Sequence, residues 1–428
     1  MLTTAVVILL VALLALGVPI AFSMAIAGTV GMFFGAGAQN IAGILGEVVY
    51  VTVSNYVLLT IPMFILMSEF LAISGVARDL VNASNLWLGR LHGGLAMACI
   101  TAGALLAAVV GSSSASAATM SRAAFPDMRR LGYKDSFSLG VISIAGTLAI
   151  LIPPSLALII YGVLTEESIG KLLIAGIIPG ILTAFGYIVT IFIMVRRDPS
   201  LAPRSSSFDL GAALTASRPI WPVVLLMLIV MGTLYSGVAT PTEVGAIGAL
   251  AAMLIPVLQG RLGAAGIVTA LRRTVRTTVM IMMIITGAMI FGYFMAFVGL
   301  TQGVITALSQ SALTPWTIML LVIAIYLVLG MFLDQFAILV LTIPLTYALI
   351  TKLGFDGIWF GIIVTKTVEI GLVSPPVGLN VFITSSITGV PLREAFTGVL
   401  PFIVTELVVT AILLAFPEIS LFLPHLMK

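Results

Sequence analysis

The sequence predicts an all-α polytopic membrane protein built from two inverted repeats. Of its 428 residues, 61% are hydrophobic and 8% are charged, and the mean hydropathy is +1.25. Soluble domains carry roughly 25% charged residues, and runs of about 20 apolar residues are what a membrane-spanning helix needs. Two double prolines, at 153–154 and 375–376, stand at corresponding places in the two halves and predict the repeat.

The repeat is visible as a gapless alignment. Residues 131–154 align with residues 353–376 at an offset of 222, and both stretches begin with Leu-Gly and end with Pro-Pro. Residues 72–81 and 296–305 align at an offset of 224. The alternative explanation is coincidence between apolar low-complexity segments. We expect residues 1–195 to form the first inverted repeat, residues 196–219 a cytoplasmic linker and residues 220–428 the second inverted repeat.

Basic residues predict that the two halves insert in opposite directions. Loop 122–135 has four basic residues, whereas its counterpart, 352–356, has one. Upstream the bias reverses, because segment 36–55 has no Lys or Arg while 261–276 has four arginines. Short loops rich in Lys and Arg stay on the cytoplasmic side. Repeats of opposite orientation are the building plan of many secondary transporters.

Each half is expected to contain a re-entrant hairpin followed by a proline-broken helix. The apolar stretch 94–128 lies between two basic loops and must therefore enter and leave on the cytoplasmic side. It is barely long enough for two full spans. We expect its tip at 111–119, where small polar residues interrupt the apolar run, and the second hairpin at 315–351 with its tip at 330–336. Proline cannot continue a helix, so each double proline should free backbone carbonyls.

The first expected tip is a candidate sodium site. Small and hydroxyl-bearing residues are concentrated there: Gly111, Ser112, Ser113, Ser114 and Ser116. Hard cations prefer hydroxyl, carbonyl and carboxylate oxygens, and carbonyls freed before Pro153 would add to the set. The alternative is that small residues simply let helices approach closely.

Asp334 is the candidate ligand at the second tip. An ionisable residue inside an apolar stretch is costly, so it points to function. The alternatives are a carboxylate paired with Lys366 or a helix cap. Glu369 lies three residues from Lys366 on one predicted helix, so these two can instead pair with each other. Oxygen-bearing or flexible residues flank the second break: Gly371, Ser374 and Asn380.

Two further local patterns predict structure. Glu243 follows Pro241 and is expected near a helix start, where an acidic side chain favours the helix dipole. Stretches 40–55 and 262–278 are amphipathic and are expected to lie along the membrane surfaces. The N-terminus has no basic region before its apolar run, so we interpret it as a retained membrane segment.

The composition argues against several other functions. One cysteine and two histidines are too few for a metal centre built from those residues, and no phosphate-binding loop motif is present. A net charge of +3, with basic residues in short loops, suits membrane topology better than nucleic-acid binding. We therefore expect neither an enzyme, nor a nucleotide cofactor, nor a nucleic-acid partner.

The chain resembles the large membrane subunit of tripartite ATP-independent periplasmic (TRAP) transporters, the DctM-like family. The resemblance rests on IPMFILM (61–67), GSSSASAATM (111–120), GTLAILIPPS (146–155), the stretch that follows Asp334, FGIIV (360–364) and EIGLVSPPVGLN (369–380). It implies an elevator-type fold of the ion-transporter superfamily in the bacterial inner membrane. It also implies sodium-driven uptake of organic acids, with a small four-helix membrane subunit and a periplasmic substrate-binding protein as partners.

The resemblance, together with the tips and breaks, gives two sets of expected site residues. At least two sodium ions are expected, one per repeat, at Gly111, Ser113, Ser114, Thr147, Ile150 and Pro153 in the first and at Gly330, Asp334, Gln335, Gly371 and Ser374 in the second. Substrate is expected between the tips and breaks, at Ser112, Ser116, Pro154, Ser155, Pro376, Gly378 and Asn380. A stand-alone sodium/dicarboxylate symporter, which needs no partners, and a channel remain as alternatives.

Overall fold

The computed structural model of the protein describes residues 2–203, 220–300 and 313–427, together with residues 211, 215, 302, 303 and 306. Every regular element in these ranges is helical. The α-helices of the first half are α1 (Leu2–Ala15), α2 (Ile20–Ala36), α3 (Ala38–Val53), α4 (Thr60–Ile73), α5 (Val76–Leu88), α6 (Gly94–Val110), α7 (Ser113–Arg130), α8 (Asp135–Leu151), α9 (Leu156–Thr165), α10 (Ile169–Ala175) and α11 (Ile177–Arg197). Those of the second half are α12 (Trp221–Tyr235), α13 (Pro241–Leu258), α14 (Ala264–Phe297), α15 (Pro315–Gly330), α16 (Gln335–Lys352), α17 (Gly357–Gly371), α18 (Leu379–Thr388), α19 (Leu392–Ala415) and α20 (Glu418–Leu426).

Several of these helices can span a membrane. Within the described ranges, seven helical stretches are long and apolar enough: Tyr56–Ile73, Asp135–Thr165, Ile169–Arg197, Pro241–Leu258, Ala264–Phe297, Gln335–Lys352 and Leu392–Ala415. Helices satisfy their own backbone hydrogen bonds, which the interior of a bilayer requires. The prediction of an all-α polytopic membrane protein is therefore confirmed.

Both double prolines interrupt helices, as the sequence predicts. The chain is non-helical between α8 and α9, where the Pro153–Pro154 peptide bond is cis, and between α17 and α18, where the Pro375–Pro376 bond is cis. The cause is that proline lacks an N–H and its ring collides with the preceding turn. The first double proline is buried and the second is exposed.

The two expected hairpin tips are shorter than the sequence suggests. Between α6 and α7 only Gly111 and Ser112 are non-helical, so the other residues of the expected tip, 113–119, already belong to α7. Gly111 ends α6 in the left-handed region at a φ of 61°. The serines that follow suit a helix start, where hydroxyls accept bonds from free N–H groups. The second turn is likewise confined to 331–334, between α15 and α16.

Helices of the two halves pack against each other throughout the described chain. Helix α2 contacts α14, α4 contacts α13, and α8 contacts α19. Helix α7 contacts α18 and α9 contacts α16. Helices α8 and α19 approach closely at Gly140 and Gly398, where an added Cβ would collide with the backbone opposite. Small residues at such contacts let membrane helices meet closely.

The two broken helices occupy the centre of this packing. Nearly every residue of α8 and of α17 is buried. A hydroxyl pair, Ser143 and Thr384 at 2.7 Å, joins α8 to α18. The two helices that precede the breaks are thus surrounded by other parts of the chain.

Most of stretch 262–278 forms the beginning of α14, which continues without interruption to Phe297. Its position along the membrane surface stays a prediction. Helix α14 packs against α3 and α4. Arg273 lies 3.6 Å from Glu69 of α4, and Arg261 pairs with Asp79 of α5.

The expected helix start near Glu243 is confirmed. Helix α13 begins at Pro241, and Thr240 caps it by accepting a hydrogen bond from the Glu243 N–H. In turn, the Glu243 side chain accepts a hydrogen bond from the Thr240 N–H at 2.8 Å. This reciprocal arrangement is a capping box, which satisfies two N–H groups that the helix itself cannot.

The linker predicted at 196–219 lies mostly outside the described residues. Its first two residues complete α11, and Asp198 accepts hydrogen bonds from the N–H and hydroxyl of Ser200. These two bonds lower the pKa of the Asp198 carboxyl group. The hydrogen bond from Lys134, at 3.2 Å, lowers it further by a smaller amount. Residues 204–219, apart from 211 and 215, are not described, and neither are most residues of the aligned stretch 301–305.

Candidate functional site

A cavity lined by both polar and apolar side chains lies where the two hairpin turns meet the second helix break. Its volume is about 260 Å³. The lining residues are Ser113, Ser114, Met280, Asp334, Gln335, Phe336, Leu372, Leu379 and Asn380. We call it the tip cavity. It brings together α7, α16 and the ends of α17 and α18, which are far apart in sequence, and closes against α14 through Met280.

Three helices begin at the tip cavity. Ser113 is the first residue of α7, Gln335 of α16 and Leu379 of α18. A helix N-terminus carries a partial positive charge of roughly half an elementary charge. The residues preceding α7 and α18, Ser112 and Gly378, make no side-chain capping bond. Apart from the Asn380 N–H, which donates to the Leu372 carbonyl, the first backbone N–H groups at these two ends are therefore suited to an anion.

Asp334 caps the third of these helices. Its Oδ1 accepts hydrogen bonds from the N–H groups of Phe336, at 2.9 Å, and Ala337, at 3.2 Å. The capping alternative considered from the sequence is therefore present, whereas Lys366 pairs with other acids. Both bonds go to Oδ1, which leaves Oδ2 able to bind a cation.

Unpaired side-chain oxygens accompany Asp334 in the lining. The Oε1 of Gln335 and the Oδ1 of Asn380 are buried and have no hydrogen-bond partner among the described residues. The Asn380 amide donates to the hydroxyl of Ser113, so the second break is tied to the first turn. Buried polar atoms are normally paired, so these oxygens indicate a ligand.

The donor set fits a hard monovalent cation. The lining offers hydroxyl, amide and carboxylate oxygens, which sodium prefers. No group of three or more His, Cys, Asp or Glu side chains suited to a metal ion occurs in the described ranges. The residues present therefore fit sodium and do not resemble a zinc or iron centre.

Hydrogen bonds and close packing join the first turn to the first break, beside the tip cavity. The N–H of Leu156 donates to the Gly111 carbonyl at 3.2 Å. A Cβ added to Gly111 would lie 2.8 Å from the Pro154 carbonyl oxygen, so glycine is required for this approach. The Ser155 hydroxyl donates to the Ile150 carbonyl and accepts from the Leu158 N–H at 3.2 Å. These contacts bring Gly111 of the first turn against Pro154 and Leu156 of the first break.

The second turn packs on the helix that precedes the second break. A Cβ added to Gly330 would lie 2.9 Å from the Cα of Gly371, so the two glycines permit close contact of α15 and α17. The Ser374 hydroxyl donates to the Ile370 carbonyl at 2.7 Å. The Asn380 N–H donates to the Leu372 carbonyl at 3.0 Å and closes the break.

The predicted residues divide into two groups. Five line the tip cavity: Ser113, Ser114, Asp334, Gln335 and Asn380. The others are not among its lining residues: Gly111, Ser112, Ser116, Thr147, Ile150, Pro153, Pro154, Ser155, Gly330, Gly371, Ser374, Pro376 and Gly378. The Thr147 hydroxyl already donates to the Ile144 carbonyl at 2.8 Å and lies 3.2 Å from the Tyr187 hydroxyl.

The predicted pairing of Lys366 with Glu369 is confirmed, and a third charge joins it. Lys366 Nζ lies 3.1 Å from Glu369 Oε2, contacts Glu406 and donates to the Thr183 hydroxyl at 3.0 Å. Glu406 was not predicted from the sequence, although an acid in the apolar middle of α19 is a recognisable signal. Met280, Phe336, Leu372 and Leu379 were also missed, because apolar residues in an apolar chain carry no local signal.

Membrane-spanning helices whose ends converge on a cavity with a few polar side chains are typical of solute transporters. Comparison with known proteins agrees. Residues 7–419 match the family model described as "Tripartite ATP-independent periplasmic transporter, DctM component". The chain therefore belongs to the DctM family: it is a TRAP transporter large permease subunit, a multi-pass protein of the inner membrane and not an enzyme.

Individual relatives support this assignment. The C4-dicarboxylate TRAP transporter large permease protein of Pseudomonas aeruginosa is 37% identical over 377 residues, which is 87% of each chain. The ectoine TRAP transporter large permease protein of Halomonas elongata is 30% identical and covers 99% of each chain. The sialic acid TRAP transporter large permease protein of Vibrio cholerae is 30% identical over 87% of each chain. The crystal structure of the Alcanivorax borkumensis YdaH transporter shares the fold, with a TM-score of 0.64, 12% identity and 90% coverage of each chain.

Proposed function

We propose that this permease imports small organic anions, or similar small polar solutes, together with sodium ions, after a periplasmic binding protein delivers them. The observation that carries the proposal is the tip cavity. There one carboxylate and several unpaired oxygens suited to a cation lie beside helix N-termini suited to an anion. A cation and an anion bound side by side favour each other, which is what coupled transport needs.

Sodium binds, in this proposal, at two places. One ion takes oxygens of the first turn and break: Gly111, Ser113, Ser114, Thr147, Ile150 and Pro153. The other takes oxygens of the second: Gly330, Asp334, Gln335, Gly371 and Ser374. The last carbonyls of α6, α8, α15 and α17 have no partner within their own helices, and each oxygen has two lone pairs with which to accept bonds. Support comes from the unpaired Gln335 oxygen beside Asp334.

The substrate class follows from the charges of the cavity. Asp334 is the one charged side chain among its lining residues, and no cationic side chain is among them. An anionic substrate would therefore rely on the N-termini of α7 and α18 and on the bound sodium. We place C4-dicarboxylates first among the substrates to be tested, because the relative that is 37% identical carries them in its name.

We further propose that the two halves are inverted repeats that move as an elevator. The starts of α7 and α16, Ser113 and Gln335, are 222 residues apart, and so are those of α8 and α17, Asp135 and Gly357. The contact of α7 with α18 has a counterpart in that of α16 with α9. The hairpins α6–α7 and α15–α16 would be re-entrant. They and the broken helices would slide against α2, α4, α13 and α14.

The partners proposed are a small four-helix membrane subunit and the periplasmic binding protein, as the family's tripartite description suggests. A stand-alone symporter would need neither. The discriminating experiment reconstitutes the permease in proteoliposomes with and without the small subunit. External binding protein is loaded with radiolabelled C4-dicarboxylate, ectoine or sialic acid.

Uptake of one substrate that requires an inward sodium gradient and all three components is the expected result. Uptake by the permease alone would favour the stand-alone symporter. Uptake unchanged when potassium replaces sodium would contradict sodium coupling.

A further inference from the structure

A groove separate from the tip cavity lies between α2, α3 and α14. Its volume is about 370 Å³, and it shares no lining residue with the tip cavity. The lining is apolar apart from two threonines of α14, Thr278 and Thr286. Two of its side chains remain well exposed, since Val53 is 63% and Val279 is 51% exposed. We call it the α14 groove. Such a lining suits a hydrocarbon chain better than a polar solute.

The α14 groove begins where the charged part of α14 ends. Helix α14 has 34 residues, more than the roughly 20 that cross a bilayer. Its charged residues are three arginines near its start, Arg272, Arg273 and Arg276. The 21 residues from 277 to 297 are uncharged and are enough to cross the membrane. Arg276 therefore marks a membrane boundary, which the excess of basic residues predicts to be the cytoplasmic one, and the groove lies directly inside it.

Two of these arginines lie on the groove side of α14. Arg272 and Arg276 precede Val279 by seven and three residues. Such spacings keep residues on one face of an α-helix, and Val279 lines the groove. Both arginines are exposed, and neither forms a salt bridge with a described residue. Arg273, in contrast, lies 3.6 Å from Glu69 of α4.

The helices that form the groove offer the two arginines no anionic partner on that side. Glu47 of α3 is the one acidic residue in the sequences of α2, α3 and α14. It is two residues before Val49, which lines the groove, and residues two apart lie on different sides of a helix. The arginines are therefore available to a negatively charged ligand.

Thr278 supplies a second, independent sign of a ligand. Its hydroxyl oxygen is buried and has no hydrogen-bond partner among the described residues. Thr274 and Thr286 of the same helix instead donate to the carbonyl four residues earlier, at 2.9 Å and 2.8 Å. Buried polar atoms are normally paired. Because Thr278 lines the groove two residues after Arg276, its missing partner is expected at the boundary between the charged and the apolar part of α14.

We propose that the α14 groove binds one anionic phospholipid of the cytoplasmic leaflet. The lipid phosphate lies between Arg272 and Arg276, the Thr278 hydroxyl donates to an ester oxygen, and an acyl chain follows the apolar lining. Guanidinium groups suit this task because their N–H groups match pairs of phosphate oxygens. Basic pockets between membrane helices on the cytoplasmic side are typical binding sites for anionic lipids.

The combination of charge and apolar lining selects this class of ligand. A zwitterionic lipid has the same chains but no net negative charge to compensate two arginines. Free phosphate has the charge but no chain to cover Val53 and Val279. A phospholipid with a net negative charge does both. It also fills the space between α3 and α14, so its binding should raise the melting temperature of the permease.

Lipid binding to the purified full-length permease in detergent tests the proposal. Native mass spectrometry gives the affinities for phosphatidylglycerol and for phosphatidylcholine with the same acyl chains, and thermal unfolding gives the stabilisation by each. We expect phosphatidylglycerol to bind more tightly and to raise the melting temperature more. Inorganic phosphate at the same concentration should not displace it.

Two variants test the two parts of the site. Arg272→Gln/Arg276→Gln should weaken phosphatidylglycerol binding by about thirtyfold, or about fivefold for each arginine. Arg196→Gln/Arg197→Gln is the matched control, because it removes the same charge from the exposed, basic end of α11, and it should leave the affinity unchanged. Ala25→Leu narrows the groove from α2 and keeps the arginines, so it should weaken the binding of both lipids.

Four results would overturn the proposal. The first is equal affinity of the wild type for the two lipids, a result that does not depend on how the variants fold. The second is the same loss of affinity in both glutamine double variants, which would mean unspecific attraction to basic residues. The third is displacement of the lipid by inorganic phosphate, which would indicate a site for the free ion. The fourth is loss of lipid binding when the small membrane subunit is present, which would assign the groove to that partner.

Discussion

At the residue scale, Asp334 both caps a helix and carries a charge, and a single substitution can remove the charge while keeping the cap. It caps α16 through Oδ1 and brings the one charged side chain to the tip cavity lining. Asparagine caps helices about as well as aspartate but has no charge. A loss that appears in ion binding and not in stability can therefore be assigned to the charge.

We expect Asp334→Asn to fold normally and to lose most sodium-dependent uptake. Replacing a carboxylate ligand by an amide should weaken sodium binding by at least about tenfold, equivalent to about 1.4 kcal/mol. The measurement is the sodium concentration that half-maximally raises the melting temperature. Asp356→Asn, at the N-cap of α17 outside the cavity lining, is the matched control. An unchanged sodium midpoint in Asp334→Asn would remove this residue from the ion site.

Gly371 tests the close contact between the second turn and the helix before the second break. A Cβ at this position would collide with the backbone of Gly330. We expect Gly371→Ala to destabilise the permease by about 1–3 kcal/mol, the usual cost of overpacking. Thermal unfolding in detergent measures it. Gly232→Ala is the control, since nothing lies within 4 Å of its added Cβ, and it should not lower the melting temperature.

At the scale of the element, the first break depends on one serine. Proline stops α8, but it does not supply partners for the backbone groups that the break leaves free. Ser155 does so on both sides, because its hydroxyl donates to the Ile150 carbonyl and accepts from the Leu158 N–H in the first turn of α9. The break is therefore a defined structure and not a flexible joint.

We expect Ser155→Ala to cost about 1–2 kcal/mol of stability, at the upper end for loss of an N-cap, because the site is buried. It should also weaken sodium-dependent stabilisation, since the Ile150 carbonyl is freed from its constraint. Ser168→Ala is a suitable comparison. Ser168 caps α10 with a longer bond of 3.4 Å in a more exposed setting, so its loss should be smaller. Equal losses in the two variants would argue against a special role for Ser155.

At the scale of the whole molecule, the two halves are interleaved. Helices α2, α4, α7, α8 and α9 each contact a helix of the second half. Such packing means that neither half is expected to fold alone. It also brings the second break against the first turn, through the hydrogen bond from Asn380 to Ser113.

The opposite orientation of the halves can be tested with one matched pair of cysteines. Arg130 and Lys352 are exposed, end α7 and α16 respectively, and are 222 residues apart. In a background in which the buried Cys99 is alanine, we expect Arg130→Cys to react with an impermeant maleimide only from the cytoplasm. Lys352→Cys should react only from the periplasm. Reaction of both from one side would refute the inverted repeat.

Much of the architecture follows from local sequence. The helix breaks were predictable because proline acts on its own neighbours. The helix start at Pro241 was predictable because a capping box spans only a few residues. The exact extent of the hairpin turns could not be predicted. The serines after Gly111 could form a loop or begin a helix, and only packing of α7 on α8 selects the helix.

The sequence by itself determined that this chain is a helical membrane protein, where its helices break and which polar residues lie at the breaks. It could do so because composition, proline and glycine act over a few residues. Only the tertiary structure decided which of those residues meet. Asn380 reaches Ser113 across 267 residues, and Glu406 joins Lys366 from a different helix. The physical reason is that partners of buried polar groups are chosen by how helices pack, and no local pattern of residues encodes that choice.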